Sequence, residues 1–256
     1  MIDIECAKDI MREYIDGYDS NNPRIALKKA HIFRVTDFAE QIAINLKNNP
    51  QDAGMELTDE DVRLATLIGL LHDIGRFEQL KRFDSFIDSQ TVDHAKLGIE
   101  VLTDNNNELL RKFCPDEKYH EIILTAIGNH NKFKIDNSIT EIRMLTHCKI
   151  IRDADKLDIL YAFSNPRILE LNEDDSELSS EVIIEFKKHK QIRNEYVKTV
   201  NDKILVFLAF AFDLNYDYSK QTILEKGYYD KMFEHIKNKD KFKPYFDEVK
   251  KYLKGE

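Results

Sequence analysis

Six residues of metal-ligand type stand out in this chain: His31, His72, Asp73, His94, His130 and Asp155. Neutral imidazoles combined with carboxylates suit Fe, Mn, Ni, Co or Zn, with Mg also compatible, whereas a calcium site is nearly all oxygen. One ion on His31, His72, Asp73 and Asp155 would keep coordination positions open for water, as a catalytic site requires. His94 and His130 could then hold a second ion, bridged to the first by Asp73. Two divalent ions against two carboxylates leave a local charge of about +2, which would draw in a phosphate. Water on such ions loses a proton near neutral pH and supplies hydroxide for attack on phosphorus. The chemistry expected is hydrolysis of a phosphoester or phosphoanhydride.

The elements that must position these groups are helices. Residues 70 to 76 read LLHDIGR, a leucine-rich run that ends in a histidine, an aspartate and an arginine. Burying a neutral polar group without a partner costs roughly 2–7 kcal/mol, and an isolated charge far more, so something must satisfy them. Thr58 is an expected N-cap, with Asp59, Glu60 and Asp61 favouring the first turn, and the helix it opens runs into His72 and Asp73. From about Ile25 to Lys47, Val35, Phe38, Ala39, Ile42, Ala43 and Leu46 recur at three and four, and His31 lies four before Val35 on that stripe. A helix near 117 to 130 carries Ile122, Ile123, Ala126 and Ile127, and its next inward step is His130. In a fourth, over 139 to 163, Met144, Cys148, Ile151, Asp155 and Ile159 share a stripe. Asp153 is the rival to Asp155, about 200° away around that helix, so one of the two faces the centre.

Composition agrees with an all-α protein: 42% apolar and 33% charged residues, with eight glycines and five prolines among 256 residues. Loops are expected near 48 to 57, 82 to 91, 104 to 107, 131 to 138 and 172 to 179. The last is acidic and apolar-poor, the best candidate for a boundary between a catalytic domain over 1–170 and a helical extension over 171–256 packed on it, although a single compact body is the first expectation. A net charge of −9 provides no basic field for a phosphate backbone and argues against nucleic acid as the partner. The apolar runs at 64 to 71 and 204 to 212 fall short of the ~20 residues that span a bilayer. Neither a signal peptide nor a disulfide or zinc framework can be read from MIDIECAKDIMREY or from Cys6, Cys114 and Cys148, so the expected location is the cytoplasm.

The pattern H…HD…H…H…D, with LLHDIGRFE, VDHAKLG, AIGNHN and KIIRDADKLDIL around it, resembles the HD superfamily of metal-dependent phosphohydrolases over roughly residues 24 to 165. The resemblance implies an all-α helical bundle with His31, His72, Asp73 and Asp155 as ligands, joined by His94 and His130 in six-ligand, binuclear members. Binuclear members of that superfamily include cyclic-dinucleotide phosphodiesterases and hydrolases of dinucleoside polyphosphates, and four-ligand members cleave nucleotides. The substrate does not transfer with the resemblance; the one expected here is small, phosphorylated and nucleotide-like. Two departures stand out. Arg76 occupies the place where many binuclear relatives carry lysine; it could hold a phosphate but not shuttle a proton. No GYP-type signature follows, which lowers a cyclic-dinucleotide reading.

Asp73, Arg76 and Lys156 are the expected catalytic group, Arg76 and Lys156 as phosphate binders beside the ligands. The remaining histidines, His120, His147, His189 and His235, sit in charged surroundings or off the stripes and are read as surface or helix-end residues. The segment KNKDKFKPYFDEVKKYLK is read as an amphipathic helix with a solvated face, and Tyr216, Tyr218, Tyr228, Tyr229 and Phe233 as packing residues, with a dimer interface left open. Two other functions share these residues: a non-catalytic nucleotide sensor, and a di-iron oxygenase on the same scaffold.

Overall fold

The computed structural model describes residues 2–256, and every regular element among them is helical. The fold class is therefore all-α, as expected. The chain forms two compact units, Met1–Asp155 and Lys156–Glu256, and the change of composition at 171 lies inside the second.

The first unit contains α1 (Ile4–Asp16), α2 (Pro23–Asn48), the short α3 (Pro50–Ala53), α4 (Asp59–Leu71), α5 (Gly75–Phe83), α6 (His94–Phe113), α7 (His120–His130) and the greater part of α8 (Ile142–Phe163). Thr58 caps α4 as expected: its hydroxyl accepts from the Asp61 amide while the Asp61 carboxylate accepts from the Thr58 amide. From Leu64 to Leu71 every residue of α4 is buried, so this helix is apolar all round and forms the centre of the unit.

Two glycines set the approach distances that matter for the site. A Cβ on Gly69 of α4 would lie 3.0 Å from the Ala39 Cβ and 3.1 Å from the Thr36 Cα of α2. The two helices therefore touch nearly backbone to backbone. His31, one turn before Val35, and His72, three residues beyond Gly69, are brought to the same end of that crossing. A Cβ on Gly75, the first residue of α5, would meet the His94 carbonyl oxygen and would lie 2.5 Å from the Gly98 amide nitrogen. The start of α5 is thereby seated on the first turn of α6, next to His94. The expected break at 104 to 107 is present within α6, where Asn105, Asn106 and Asn107 hold φ values of 47°, 60° and 64°. Asparagine adopts this left-handed region more readily than most residues.

One sequence expectation fails here. His147 is buried, at 1% exposure, in the middle of α8, whereas His120, although 8% exposed, is a helix-end residue as expected, the first of α7. Residues 146–148 and 150–154 of α8 are all buried, so this helix has no solvated face in its middle and a position off its stripe is still interior. His147 is held by Asp61, whose Oδ1 also accepts from Arg143 Nε at 2.6 Å, and His120 Nε2 donates to the Cys114 carbonyl at 2.7 Å. His189 and His235 are exposed as expected.

The second unit contains the remainder of α8 with α9 (Ser180–Lys187), α10 (Val200–Leu208), α11 (Asp217–Lys226), α12 (Tyr228–His235) and α13 (Lys239–Lys254). Thr199 and Asp202 cap α10 reciprocally. In α13, Phe242, Phe246, Val249 and Leu253 are buried, the amphipathic pattern its sequence implied. Tyr216, Tyr228 and Tyr229 are buried, and the Tyr229 hydroxyl donates to the Leu208 carbonyl at 3.0 Å. They pack, as expected. No helix among the described residues is long and apolar enough to cross a membrane.

Candidate metal centre

His31 from α2, His72 and Asp73 from the end of α4, His94 from the first turn of α6, His130 from the last of α7 and Asp155 from α8 converge within the first unit. Asp73 is the pivot. Its Oδ2 lies 3.3 Å from His31 Nε2 and 3.7 Å from His72 Nε2, while its Oδ1 lies 3.3 Å from His94 Nε2 and 3.7 Å from His130 Nε2. Asp155 Oδ1 joins the first group, 3.3 Å from His31 Nε2 and 3.8 Å from His72 Nε2. Three overlapping sets place their donor atoms within 4.8 Å of one another: His31, His72 and Asp73; His72, His130 and Asp155; and Asp73, His94 and His130. Asp155, not Asp153, faces this centre.

The outer nitrogens fix which lone pairs point inward. His72 Nδ1 is 2.8 Å from the Gly69 carbonyl and His130 Nδ1 is 2.7 Å from the Ile127 carbonyl. A carbonyl only accepts, so both rings carry their proton on Nδ1 and present a bare Nε2. His94 Nδ1 donates likewise to Asp88 Oδ2 at 2.5 Å. The Nε2 atoms of His94 and His130 are 3.0 Å apart, and neither has a proton to offer the other. Asp73 Oδ1 beside them is buried with no hydrogen-bond partner. Lone pairs facing lone pairs in a buried site repel, and a cation is what such a donor set lacks. The residues fit a divalent metal ion on this ground.

Protonation states agree. Burial drives the His72 imidazole down to about 3, against the pull of Asp73 and Asp155. Burial also lowers His94, partly offset by Asp88 and Asp73. Both imidazoles are therefore neutral at physiological pH, the form that could bind a metal ion. Burial alone would raise the Asp73 carboxyl, but the Lys28 charge beside it holds it well below the usual carboxylate range. Asp155 is lowered in the same way, chiefly by His31.

Other expected site residues are differently placed. Arg76 lies beside the centre, its Nε 3.5 Å from Asp73 Oδ1, but its Nη1 donates to Gln79 Oε1 at 2.8 Å, the Phe86 carbonyl at 2.7 Å and Asp88 Oδ1 at 2.8 Å. It props the loop after α5 and, through Asp88, the His94 ring. Lys156 is buried and pairs with Asp213 at 2.9 Å. It is not part of the convergent set.

Three contributors escaped the sequence reading. Lys28 Nζ donates to Asp73 Oδ2 at 2.7 Å; it lies one helical turn before His31, a spacing that could have flagged it. Asp88 fixes the His94 tautomer, and although burial opposes it, His94, Arg76 and Gln79 hold its carboxyl down at about 2. Arg152 donates to the carbonyls of Asn129 at 3.2 Å, His130 at 3.4 Å, Phe133 at 3.4 Å, and also Lys132. It gathers the C-terminal carbonyls of α7 and thereby fixes the turn that carries His130.

Comparison with known proteins adds one finding. The family model described as HD domain matches residues 29–160, just over half of the chain, and spans all six converging residues. No curated protein and no solved structure matches.

Proposed function

This chain belongs to the HD domain family, a superfamily of metal-dependent hydrolases, and on that premise we propose that it hydrolyses a phosphoester or phosphoanhydride of a small, nucleotide-like substrate with two divalent ions. His31, His72, Asp73 and Asp155 would hold one ion, and His94, His130 and the other oxygen of Asp73 the second. Divalent ions at such a site acidify water into a nucleophile and neutralise charge that develops on phosphate oxygens. The chain's own residues do the positioning: the carbonyls of Gly69 and Ile127 and the Asp88 carboxylate hold three rings with their Nε2 lone pairs inward. Asp73 turns Oδ2 toward His31 and His72 and Oδ1 toward His94 and His130, so it would serve both subsites. Lys28 and Arg76 add positive charge at its edge, suited to an anionic substrate.

The observation that supports this most strongly is the 3.0 Å meeting of two bare imidazole nitrogens beside an orphaned carboxylate oxygen. Four histidines and two carboxylates favour Fe, Mn, Co, Ni or Zn over Mg. The test is elemental analysis of the purified protein, followed by phosphate release from a panel of nucleotides and phosphoesters with each metal. The expected result is bound transition metal and turnover that Asp73→Ala abolishes. Turnover that survives in Asp73→Ala contradicts it. Tight nucleotide binding without hydrolysis under any metal would favour a sensor, and oxygen uptake without phosphate release an oxygenase.

A further inference from the structure

The centre contains a charge that opposes the binding of cations. Lys28 Nζ donates at 2.7 Å to Asp73 Oδ2, the same oxygen that lies 3.3 Å from His31 Nε2. An ion seated among His31, His72, Asp73 and Asp155 would meet a full ammonium charge on one of its own ligand atoms. Arg76 stands on the other side of the carboxylate, near Oδ1, and the Phe86 ring borders both cations, 5.7 Å from Lys28 Nζ and 5.8 Å from Arg76 Cζ. The two cations are not equivalent. Arg76 is tied to three acceptors, Gln79 within α5 and Phe86 and Asp88 in the loop after it, and Gln79 and Asp88 also bond each other. Lys28 is a compact ammonium on a flexible stem, with a side chain 19% exposed. It can swing from Asp73 to a neighbouring anion without breaking that network.

We propose that Lys28 is a positioning residue that competes with an ion for Asp73 and transfers its hydrogen bond to a phosphate oxygen when a ligand arrives, so that ion and phosphate bind cooperatively. This rests on the phosphohydrolase reading above. The physical basis is reciprocal: a phosphate that draws the ammonium off Asp73 Oδ2 tightens the ion, and the ion that displaces Lys28 tightens the phosphate by the same factor. The free protein then holds its first ion less tightly than it would without Lys28, and substrate completes the site. Regulation by the supply of metal follows without any separate effector site.

The test is calorimetric titration of Mn2+ into the full chain, with and without inorganic phosphate, for wild type, Lys28→Met, Lys28→Arg and the control Lys29→Met, whose wild-type side chain instead reaches Asp16. Removing a positive charge at ligand distance should tighten Mn2+ binding about tenfold or more in Lys28→Met without phosphate. Phosphate should tighten Mn2+ in wild type and Lys28→Arg, and by a much smaller factor in Lys28→Met. Lys29→Met should match wild type. If wild type binds Mn2+ and His72→Ala does not, yet Lys28→Met shows unchanged or weaker affinity, or the full phosphate effect, the role given to Lys28 is overturned while the site assignment stands. If wild type binds no Mn2+, the site assignment falls and this inference with it. Circular dichroism establishes that each variant is folded, and Lys28→Gln serves in the same assay if Lys28→Met is not.

Discussion

His94 and His130 meet at 3.0 Å through nitrogens that both lack a proton, because Asp88 and the Ile127 carbonyl have claimed the opposite side of each ring. A contact of that kind destabilises a protein on its own and stabilises one that holds a cation. Metal binding should therefore couple strongly to folding. At a free Mn2+ concentration of about 100 times Kd, stability should rise by about 2.7 kcal/mol per site, read as a higher Tm than in chelator. His130→Ala should lose most of that increment. An equal increment in wild type and variant would contradict the assignment.

Gly75 tests the seating of α5 on α6. Gly75→Ala places a methyl group against the His94 carbonyl and the Gly98 amide, both backbone, so neither can turn aside. The expected cost is about 3 kcal/mol or more in urea unfolding, with weakened metal binding because His94 must shift. Gly69→Ala meets its neighbours at 3.0 to 3.1 Å and should cost less, about 1–3 kcal/mol.

Arg152 tests the anchoring of His130. Arg152→Met leaves the carbonyls at the end of α7 without their shared donor and should cost about 3 kcal/mol. Arg152→Lys should recover little, because one ammonium cannot span carbonyls that a planar guanidinium reaches together. Both variants should bind metal more weakly, measured by the same titration.

Much of this centre was legible in the sequence because three of the candidate ligands interrupt an apolar stripe of their own helix. His31, His130 and Asp155 could be found that way, and the glycine-flanked LLHDIGR run located His72 and Asp73. Lys28, Asp88 and Arg152 could not be found so, since their importance arises from contacts between segments. Asp88 meets His94 across a loop, and Arg152 reaches carbonyls about 20 residues upstream. Asp61 was hidden by a sufficient local explanation: it completes the Thr58 capping box, and nothing local shows that its other oxygen faces Arg143 and His147. His147 itself was misread because α8 is buried around its middle and has no outer face there.

His147 adds a pH dependence from a histidine outside the metal centre. Burial lowers its imidazole, against the pull of Asp61, so the folded protein keeps it neutral where an unfolded chain would protonate it at about 6.5. The unfolded state binds the extra proton, so stability must fall as pH drops below about 6.5, by up to about 1.4 kcal/mol per pH unit from this group. Asp61, whose carboxyl is lowered by His147, Thr58 and Arg143 despite its burial, adds a further loss once pH falls below the ordinary carboxylate range. In chelator, urea midpoints between pH 7.5 and 5.5 should show the His147 loss together with that from His72 and His94, whose imidazoles burial also lowers, and His147→Gln should reduce the slope by the share of one imidazole. A slope unchanged in that variant would assign the effect elsewhere.

The convergence of the six ligand residues on bound ions is tested most directly by anomalous diffraction from crystals grown with Mn2+. Two anomalous peaks are expected, one among His31, His72, Asp73 and Asp155 and one among Asp73, His94 and His130. Crystals of folded protein soaked in Mn2+ with no peak at these residues would contradict it.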